Sequence, residues 1–405
     1  MKANLSTLPK KILIASDFYL PGFKGGGPTL SLANLVDRLG DEFSFDIVTR
    51  DRDFGDPVPY PESHDKIGHM NGKARVFYLA PAERSLRRLC EILRKSDPDI
   101  LYLNSFFSRQ FTGKFLLLRW IGATRRIPLV VACRGEFSPG ALAQKPVRKT
   151  LYIAVARLLG IYRDVVWQAS SPLEEQDIRR VFGVGAKVVV APDLTGPVIR
   201  DRKRMPHPEK QAGTLSVMFL AKISPTKNLH GALKILSEMD GDIQFDIYGP
   251  VKDATYWHKC SRLISDLPRN IRVKHHGAVA HDRVGQLFID HDLLLLPTEG
   301  ENFGHVIAEA LSAGCPVLIS DRTPWLGLAD AGAGWDLPLK NIGAWRVALA
   351  QCVAMGPEDY RGFRRNALQF VSRVYHEEDV VAANRVLFQA IPWTERGRLE
   401  ESPAG

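Results

Sequence analysis

Short apolar runs alternate with amphipathic segments along the chain, and this pattern begins twice. Seven runs precede residue 193, from KILIAS at 11–16 to KVVVAP at 187–192, and five lie between LSVMFLAK at 215–222 and PVLISD at 316–321. Nearly continuous apolar strands are typical of a parallel sheet covered by helices on both faces. The sequence therefore predicts an α/β protein with two Rossmann-like, doubly wound domains that face a central cleft.

A polar stretch without periodicity, VIRDRKRMPHPEKQAGT, separates the two halves and contains two prolines. Such a composition indicates a linker. The last amphipathic pattern, EEDVVAANRVLFQAIPW, has the apolar spacing of a helix that faces a core. The expected units are an N-terminal domain at 1–196, a linker at 197–213, a C-terminal domain at 214–375 and a final helical segment at 376–405.

Composition narrows the class of protein. The five cysteines are scattered without a C-x-x-C pair, so neither a disulfide framework nor a zinc site is expected, and a reducing cytoplasm fits best. The apolar run at 12–15 is too short for a signal peptide, and no run approaches the ~20 residues of a spanning helix. A net charge of +9 favours an anionic partner: a nucleotide, a phospholipid surface or a nucleic acid.

Loops that follow strands are where a doubly wound sheet binds ligands. In YLPGFKGGG, three glycines, Gly25, Gly26 and Gly27, lie between the first strand and a helix. They allow a close approach of backbone to a ligand, although a flexible turn would have the same composition. The spacing does not fit the G-x-G-x-x-G fingerprint, which argues against a nicotinamide enzyme.

Charged residues mark two further loops. Lys222 ends the run LSVMFLAK and Lys227 precedes a helix, so the two cations could neutralise a diphosphate, unless both are simply solvated. In TEGENFGHVIAEAL, Glu301 and Glu309 lie eight positions apart, and we expect 302–304 to begin a helix whose amides favour a phosphate. Glu309 sits in an apolar helix and should have a polar partner.

Two loops of the first half supply other candidates. NSFF and CRGEFSPGAL each follow a strand, so we expect Asn104, Arg134, Glu136 and Ser138 to line the cleft. Arg134 and Glu136 are interpreted as acceptor or sugar contacts, or alternatively as a structural ion pair with each other.

The segment QKPVRKTLYIAVARLLGIYRDVVW combines an apolar stripe with basic residues. Leu151, Val155, Leu158, Leu159 and Tyr162 recur at helical spacing, which is typical of an interfacial membrane helix. The alternative is a helix packed on its own domain with its basic residues in water.

The order of the motifs resembles the retaining glycosyltransferases of family 4, which have the GT-B fold. The resemblance rests on YLPGFKGGG, FLAKISPTKNL, IYGP and LLLLPTEGENFGHVIAEALSAGCPVLISDRTPW, and it is densest between 215 and 325. It implies transfer of a hexosyl group from a nucleotide sugar to a saccharide or lipid-linked saccharide, in polysaccharide or glycolipid synthesis. The first domain would bind the acceptor, the second the nucleotide sugar, and the final helix would return to the first domain.

The resemblance also implies roles for residues. Glu301 would contact donor-sugar hydroxyls, Glu309 the ribose, and the other donor-binding residues would lie near the diphosphate: Gly25, Gly26, Gly27, Asn302, Phe303, Gly304 and His305. Glu301, Lys222 and Lys227 are the candidate catalytic residues. At Lys222 the family commonly has arginine; lysine keeps the charge but cannot make a bidentate contact with phosphate. His305 could equally have no ligand role.

No metal and no cofactor are expected, because cations and helix amides can stabilise the leaving diphosphate. Four Asp-x-Asp triplets, beginning at Asp51, Asp97, Asp240 and Asp290, match a metal-binding string but share no structural context, so we reject them. Two other functions compete: a GT-B sugar-nucleotide epimerase, which would need an acid–base pair at the sugar, and a nucleic-acid-binding protein, which only the net charge suggests.

Overall fold

The computed structural model describes residues 9–61, 68–123, 127–196 and 209–389. Most of the predicted linker at 197–213 and the end of the predicted final segment, after residue 389, lie outside the described residues.

The first sheet has eight strands in the order β3-β4-β2-β1-β5-β6-β7-β8. All neighbouring strands are parallel except the β3–β4 pair. The strands are β1 (Lys11–Ser16), β2 (Ser44–Arg50), β3 (His69–Asn71), β4 (Ala74–Leu79), β5 (Ile100–Asn104), β6 (Leu129–Ala132), β7 (Val165–Ala169) and β8 (Lys187–Val190).

Helices cover both faces of this sheet. One face packs against α2 (Leu86–Ser96), α3 (Thr112–Trp120), α5 (Pro146–Leu158) and α6 (Pro172–Phe182), and the short α4 (Pro139–Leu142) precedes α5. The other face packs against α1 (Gly27–Leu39) and α13 (Glu377–Gln389).

The second sheet has six parallel strands in the order β11-β10-β9-β12-β13-β14. They are β9 (Thr214–Leu220), β10 (Asp242–Tyr248), β11 (Ile271–Gly277), β12 (Leu293–Leu296), β13 (Val317–Ser320) and β14 (Gly334–Leu337). The helices of this half are α7 (Leu229–Leu236), α8 (Ala254–Ser265), α9 (His281–Asp290), α10 (His305–Ser312), α11 (Ile342–Ala354) and α12 (Pro357–Val374).

The predicted fold class, two doubly wound α/β domains, is confirmed. In each sheet the strand order reverses at one point, between β1 and β5 in the first and between β9 and β12 in the second. Ligands of doubly wound sheets bind beyond the carboxyl ends of the strands at such a point. The loops after these four strands therefore define where a site is expected.

The chain returns to the first sheet after α12. Helix α13 lies against α1, and the Phe388 ring packs edge-on against the Phe43 ring with centroids 5.5 Å apart. Lys10 Nζ donates a hydrogen bond to the Phe388 carbonyl at 3.0 Å. Residues near both ends of the described chain therefore stabilise the same side of the first sheet.

Candidate active site

Loops from both sheets enclose a cleft of about 560 Å³. On one side lie the glycine loop after β1 and the loop after β6, and on the other lie the loops after β9 and β12. Both reversal points of the strand order thus open onto the same cavity.

Thirteen of the fifteen predicted site residues line this cleft. They are Gly26, Gly27, Arg134, Glu136, Ser138, Lys222, Lys227, Glu301, Asn302, Phe303, Gly304, His305 and Glu309. The two others lie behind its wall. The Gly25 carbonyl accepts a hydrogen bond from Lys222 Nζ, and the Oδ1 atom of the buried Asn104 accepts one from Arg134 Nε at 2.6 Å.

Lysines gather where β9 and β10 end. Lys222 follows β9 by two residues, Lys227 closes a turn of 3-10 helix, and Lys252 follows β10. Burial, together with the positive charges of Lys252 and Lys227, lowers the pKa of Lys222 to about 8. A cluster of cations this close together is suited to binding a multiply charged anion such as a diphosphate.

Glu301 is held by one of these lysines. Lys227 Nζ donates to Glu301 Oε1 at 2.5 Å, and the Glu301 backbone N–H donates to the Arg322 carbonyl at 3.1 Å. The pair is mostly buried, with 24% of the Lys227 side chain and 11% of the Glu301 side chain exposed. The carboxylate and the cation therefore reach the cleft as one unit.

Helix α10 begins later than predicted. Its first residue is His305, and Gly304 takes the N-cap position with a φ of 81°, so Asn302 and Phe303 belong to the preceding loop. Four residues into this helix, burial raises the pKa of Glu309, and His281 and His305 oppose that effect. The expected polar partner of Glu309 is distant, because its Oε1 lies 3.9 Å from His281 Nδ1.

Arg134 does not pair with Glu136, which overturns one of the two interpretations of these residues. It forms a buried ion pair with Asp193, and its Nη2 also donates to the Tyr102 hydroxyl at 2.8 Å. Burial alone lowers the pKa of Arg134, but Asp193 outweighs this and raises it. The reason is topological: β6 and β8 end at the same edge of the sheet, which brings Arg134 and Asp193 together.

His305 contacts the first domain. Its Nε2 lies 2.8 Å from Ser31 Oγ, and Ser31 Oγ lies 2.8 Å from Asp193 Oδ2 and 3.0 Å from the Gly27 carbonyl. The direction of the hydrogen bond between Ser31 and His305 follows the tautomer of the imidazole ring. The other ring nitrogen, Nδ1, is buried without a partner among the described residues.

Glu136 is fixed by the loop after β5. It accepts hydrogen bonds from Ser105 Oγ at 2.8 Å and from the Phe106 backbone N–H at 2.6 Å. Burial raises its pKa to about 7, although these hydrogen bonds and the charge of Lys149 favour the ionised form. An acid with this pKa in a cleft can hold or release a proton near neutral pH.

Several residues of the cleft were missed by sequence reasoning: Asp193, Lys252, Lys149, His281 and Ser31, of which Ser31 lies just behind the wall. Asp193 and Lys252 follow strands β8 and β10, so the rule that placed Lys222 could have found them. Lys149 was interpreted as part of a membrane segment, and nothing local distinguishes Ser31 from any other serine of a helix.

Among the described parts of the chain, no group of three or more His, Cys, Asp or Glu side chains could hold a metal ion. All five cysteines are free. No helix within the described ranges is long and apolar enough to cross a membrane.

Comparison with known proteins agrees with the architecture. Residues 200–369 match the family model described as "Glycosyl transferases group 1". No curated protein matches the chain in sequence.

Solved structures extend the likeness over nearly the whole chain. Sucrose-phosphate synthase from Thermosynechococcus elongatus is similar with a TM-score of 0.68 and 17% identity, over 94% of this chain and 98% of that one. HepE from Anabaena, crystallised with UDP and glucose, has a TM-score of 0.65 and 20% identity, over 94% and 99% of the two chains. WaaG, a glycosyltransferase of lipopolysaccharide biosynthesis, has a TM-score of 0.64 and 13% identity, over 93% and 99%.

The structural likeness establishes the GT-B fold. With the family match, it supports a GT-B glycosyltransferase and does not favour the epimerase alternative.

Proposed function

We propose that the protein is a retaining hexosyltransferase of family 4, which moves a sugar from a nucleotide-sugar donor to a saccharide or lipid-linked saccharide. The reaction would take place in the cytoplasm, in the synthesis of a cell-surface polysaccharide or glycolipid. The observation that carries the proposal is the lysine cluster with the Lys227–Glu301 pair, set at the strand-order reversal of the second sheet.

The donor is expected to bind in the second half of the cleft. Its diphosphate would lie against Lys222, Lys227 and Lys252, near the amides that begin α10. Glu309 would accept hydrogen bonds from the ribose, and Glu301 from the sugar. HepE was crystallised with UDP and glucose, which makes UDP the first nucleotide to test.

The transfer step depends on positive charge that stabilises the leaving group. The bond between the sugar C1 and the phosphate oxygen breaks, and the lysines stabilise the negative charge that develops on the leaving diphosphate. The acceptor hydroxyl attacks from the same face, its oxygen bonds to C1, and its proton passes to the departing phosphate oxygen. No side chain of the protein acts as a nucleophile and the configuration at C1 is retained.

A thermal-shift screen over nucleoside diphosphates and nucleotide sugars tests the proposal. A ligand present at about 100 times its Kd stabilises a protein by ~2.7 kcal/mol, which is easily measured. We expect a shift with at least one nucleotide sugar, and then transfer to a saccharide acceptor with the anomeric configuration retained by NMR. If no nucleotide sugar binds, or if the product is inverted, the proposal fails.

Chelation is a second test of the same step. Because lysines and helix amides supply the positive charge, we expect transfer to continue in the presence of EDTA. Activity that disappears with EDTA and returns with Mg²⁺ or Mn²⁺ would contradict this part of the proposal.

A further inference from the structure

Helix α5 turns an apolar stripe toward solvent. Val147, Leu151, Val155 and Leu158 recur at intervals of three or four residues and are exposed by 79%, 64%, 43% and 86% respectively. Only Ala156 of this helix is buried. Of the stripe expected from the sequence, Leu151, Val155, Leu158 and Leu159 are exposed, whereas Tyr162 is buried in the core of its own domain. A contiguous exposed apolar surface indicates an interaction site.

The opposite side of α5 already has its partners. Lys149 Nζ donates to the Ala141 carbonyl at 2.6 Å and lies 5.0 Å from the centre of the Phe107 ring. The Tyr152 hydroxyl lies 3.1 Å from that of Tyr162, which is buried just beyond the end of the helix. The helix is thus anchored through one face, and the apolar stripe is left free.

Exposed apolar side chains also occur at the end of helix α3. Its last residue, Trp120, and the following Ile121 are exposed by 68% and 61%. Helices α3 and α5 both cover the face that α2 and α6 also cover, and they lead into the neighbouring parallel strands β6 and β7. Their carboxyl ends therefore lie at the same edge of the sheet, where Leu158 is also exposed.

The charged side chains of α5 and of the residues that flank it, 145–163, are all positive. The stretch 145–163 has five basic residues and no aspartate or glutamate. At ~100° per residue, Arg148 and Arg157 lie on opposite flanks of the stripe. Within the described residues, neither has a carboxylate within ion-pair distance, whereas arginines elsewhere on the surface pair with aspartate or glutamate.

We propose that this surface docks on an anionic lipid bilayer, with α5 lying in the interface and its apolar stripe between the acyl chains. An apolar stripe flanked by arginines fits such a surface, since the side chains insert while the cations contact lipid headgroups. A second copy of this chain would carry the same positive charges to the contact and would be repelled.

The first turn of α5 borders the cleft through its anchored face. Lys149, in the first turn of α5, lines the cavity beside Glu136. A bilayer against the apolar stripe of α5 would bring a lipid-linked acceptor to the acceptor side of the cleft. This last step rests on the proposed function, whereas the docking itself does not.

Vesicle sedimentation of the full chain tests the docking without any transfer assay. We expect binding to phosphatidylcholine vesicles that contain phosphatidylglycerol, and little binding to phosphatidylcholine alone. Leu151→Gln with Leu158→Gln should weaken the partition coefficient at least tenfold, because each leucine loses its burial in the bilayer. Arg148→Gln with Arg157→Gln should weaken it roughly 25-fold, at about fivefold for each cation.

Matched controls distinguish binding through this surface from non-specific binding of the protein to vesicles. Val184→Gln with Val347→Gln removes two exposed apolar side chains elsewhere, and Lys274→Gln with Lys340→Gln removes two exposed cations of the second domain. Both controls should bind vesicles within about twofold of the parent, since each lies outside the proposed surface. Equal loss in test and control variants would overturn the proposal.

Sedimentation velocity without lipid tests whether a second copy of this chain covers the stripe instead of a bilayer. A dimer that Leu151→Gln with Leu158→Gln dissociates, together with no vesicle binding, would assign the stripe to self-association and overturn the proposal. Nucleotide binding by the same variants, measured by thermal shift, should equal that of the parent. Lost docking with intact nucleotide binding, or the reverse, thus shows which of the two proposals fails.

Discussion

Ser31 Oγ and His305 Nε2 lie 2.8 Å apart across the cleft, so the first helix of one domain contacts the first residue of α10 in the other. Both are largely buried, and the same serine contacts Asp193. This hydrogen bond joins the two domains directly beside the predicted donor site.

Ser31→Ala removes that bond together with the hydrogen bonds of Ser31 to Asp193 and Gly27. A buried hydrogen bond contributes ~0.5 to 1.5 kcal/mol, so we expect the unfolding temperature to fall by roughly 1 to 4 °C. Ser96→Ala is the matched control, because the Ser96 hydroxyl is buried without a partner among the described residues. Calorimetry should show little change for the control; an equal loss in both variants would mean that the hydrogen bonds of Ser31 contribute nothing to stability.

Asp193→Asn is expected to lower the free energy of unfolding more than Ser31→Ala does. It leaves the Arg134 guanidinium buried without its counter-charge, and breaking a buried pair in this way costs ~3 to 5 kcal/mol. Asp56→Asn, which breaks the part-exposed Lys24–Asp56 pair, should cost no more than ~1 kcal/mol. Urea unfolding of the two variants compares them, and similar midpoints would show that the Arg134–Asp193 pair is energetically unimportant.

The stability that the Arg134–Asp193 pair contributes is expected to fall in acid. Although burial opposes it, the charge of Arg134 holds the pKa of Asp193 below the ordinary value of 3.8. The stabilisation is then present above pH ~4 and is lost as the pH falls through the lowered pKa. Parent and Asp193→Asn should therefore differ in stability at neutral pH and converge in strong acid.

Local pattern predicted the strands well, because an apolar run buried on both faces needs no information from elsewhere in the chain. Each of the twelve predicted runs contains a strand, whereas β3 and β14 were missed. The sequences of these two, HMN and GWDL, are short and carry no apolar run. They become strands because a neighbouring strand offers hydrogen bonds.

Contacts between distant residues could not be predicted in the same way. Arg134 and Asp193 are 59 positions apart, and Ser31 and His305 are 274 apart. Each pair forms because the folded sheets bring together residues that are distant in sequence. Arg134 and His305 were therefore placed at the cleft by sequence, whereas their partners Asp193 and Ser31 were not. The Lys227–Glu301 pair was missed for the same reason, although both residues had been named.

Lys222 should make nucleoside diphosphate binding depend on pH. Its pKa of about 8 means that its charge is present below that pH and is lost as the pH rises through it. We expect the Kd for UDP, measured by calorimetry, to rise above pH ~8 in the parent. In Lys222→Arg the charge persists, so this rise should disappear.

Removing the Lys222 charge altogether should weaken UDP binding by roughly one to two decades, because a hydrogen bond to a charged group is worth ~1.5 to 3 kcal/mol. Lys274→Gln, on the exposed edge strand β11, removes a cation far from the cleft and should leave the Kd unchanged. If Lys222→Ala binds UDP as the parent does at pH 7, Lys222 does not contact the diphosphate.

Glu301 and Glu309 are expected to act on different parts of the donor, and their amide variants test this division. Glu309→Gln should weaken UDP and the nucleotide sugar alike, since the ribose is common to both. Glu301→Gln should slow transfer by roughly one to two decades in kcat/KM, because the sugar hydroxyls lose a charged acceptor.

The Lys227–Glu301 pair also predicts how tightly Glu301→Gln binds UDP that carries no sugar. At 2.5 Å the Glu301 carboxylate neutralises Lys227, so Glu301→Gln leaves that cation free to bind phosphate. UDP should therefore bind to Glu301→Gln as tightly as to the parent, or more tightly. Calorimetry of both variants measures this, with cooperative melting near the parent temperature as the control for folding. A similar loss of UDP affinity in the two variants would show that Glu301 contacts the nucleotide and not the sugar.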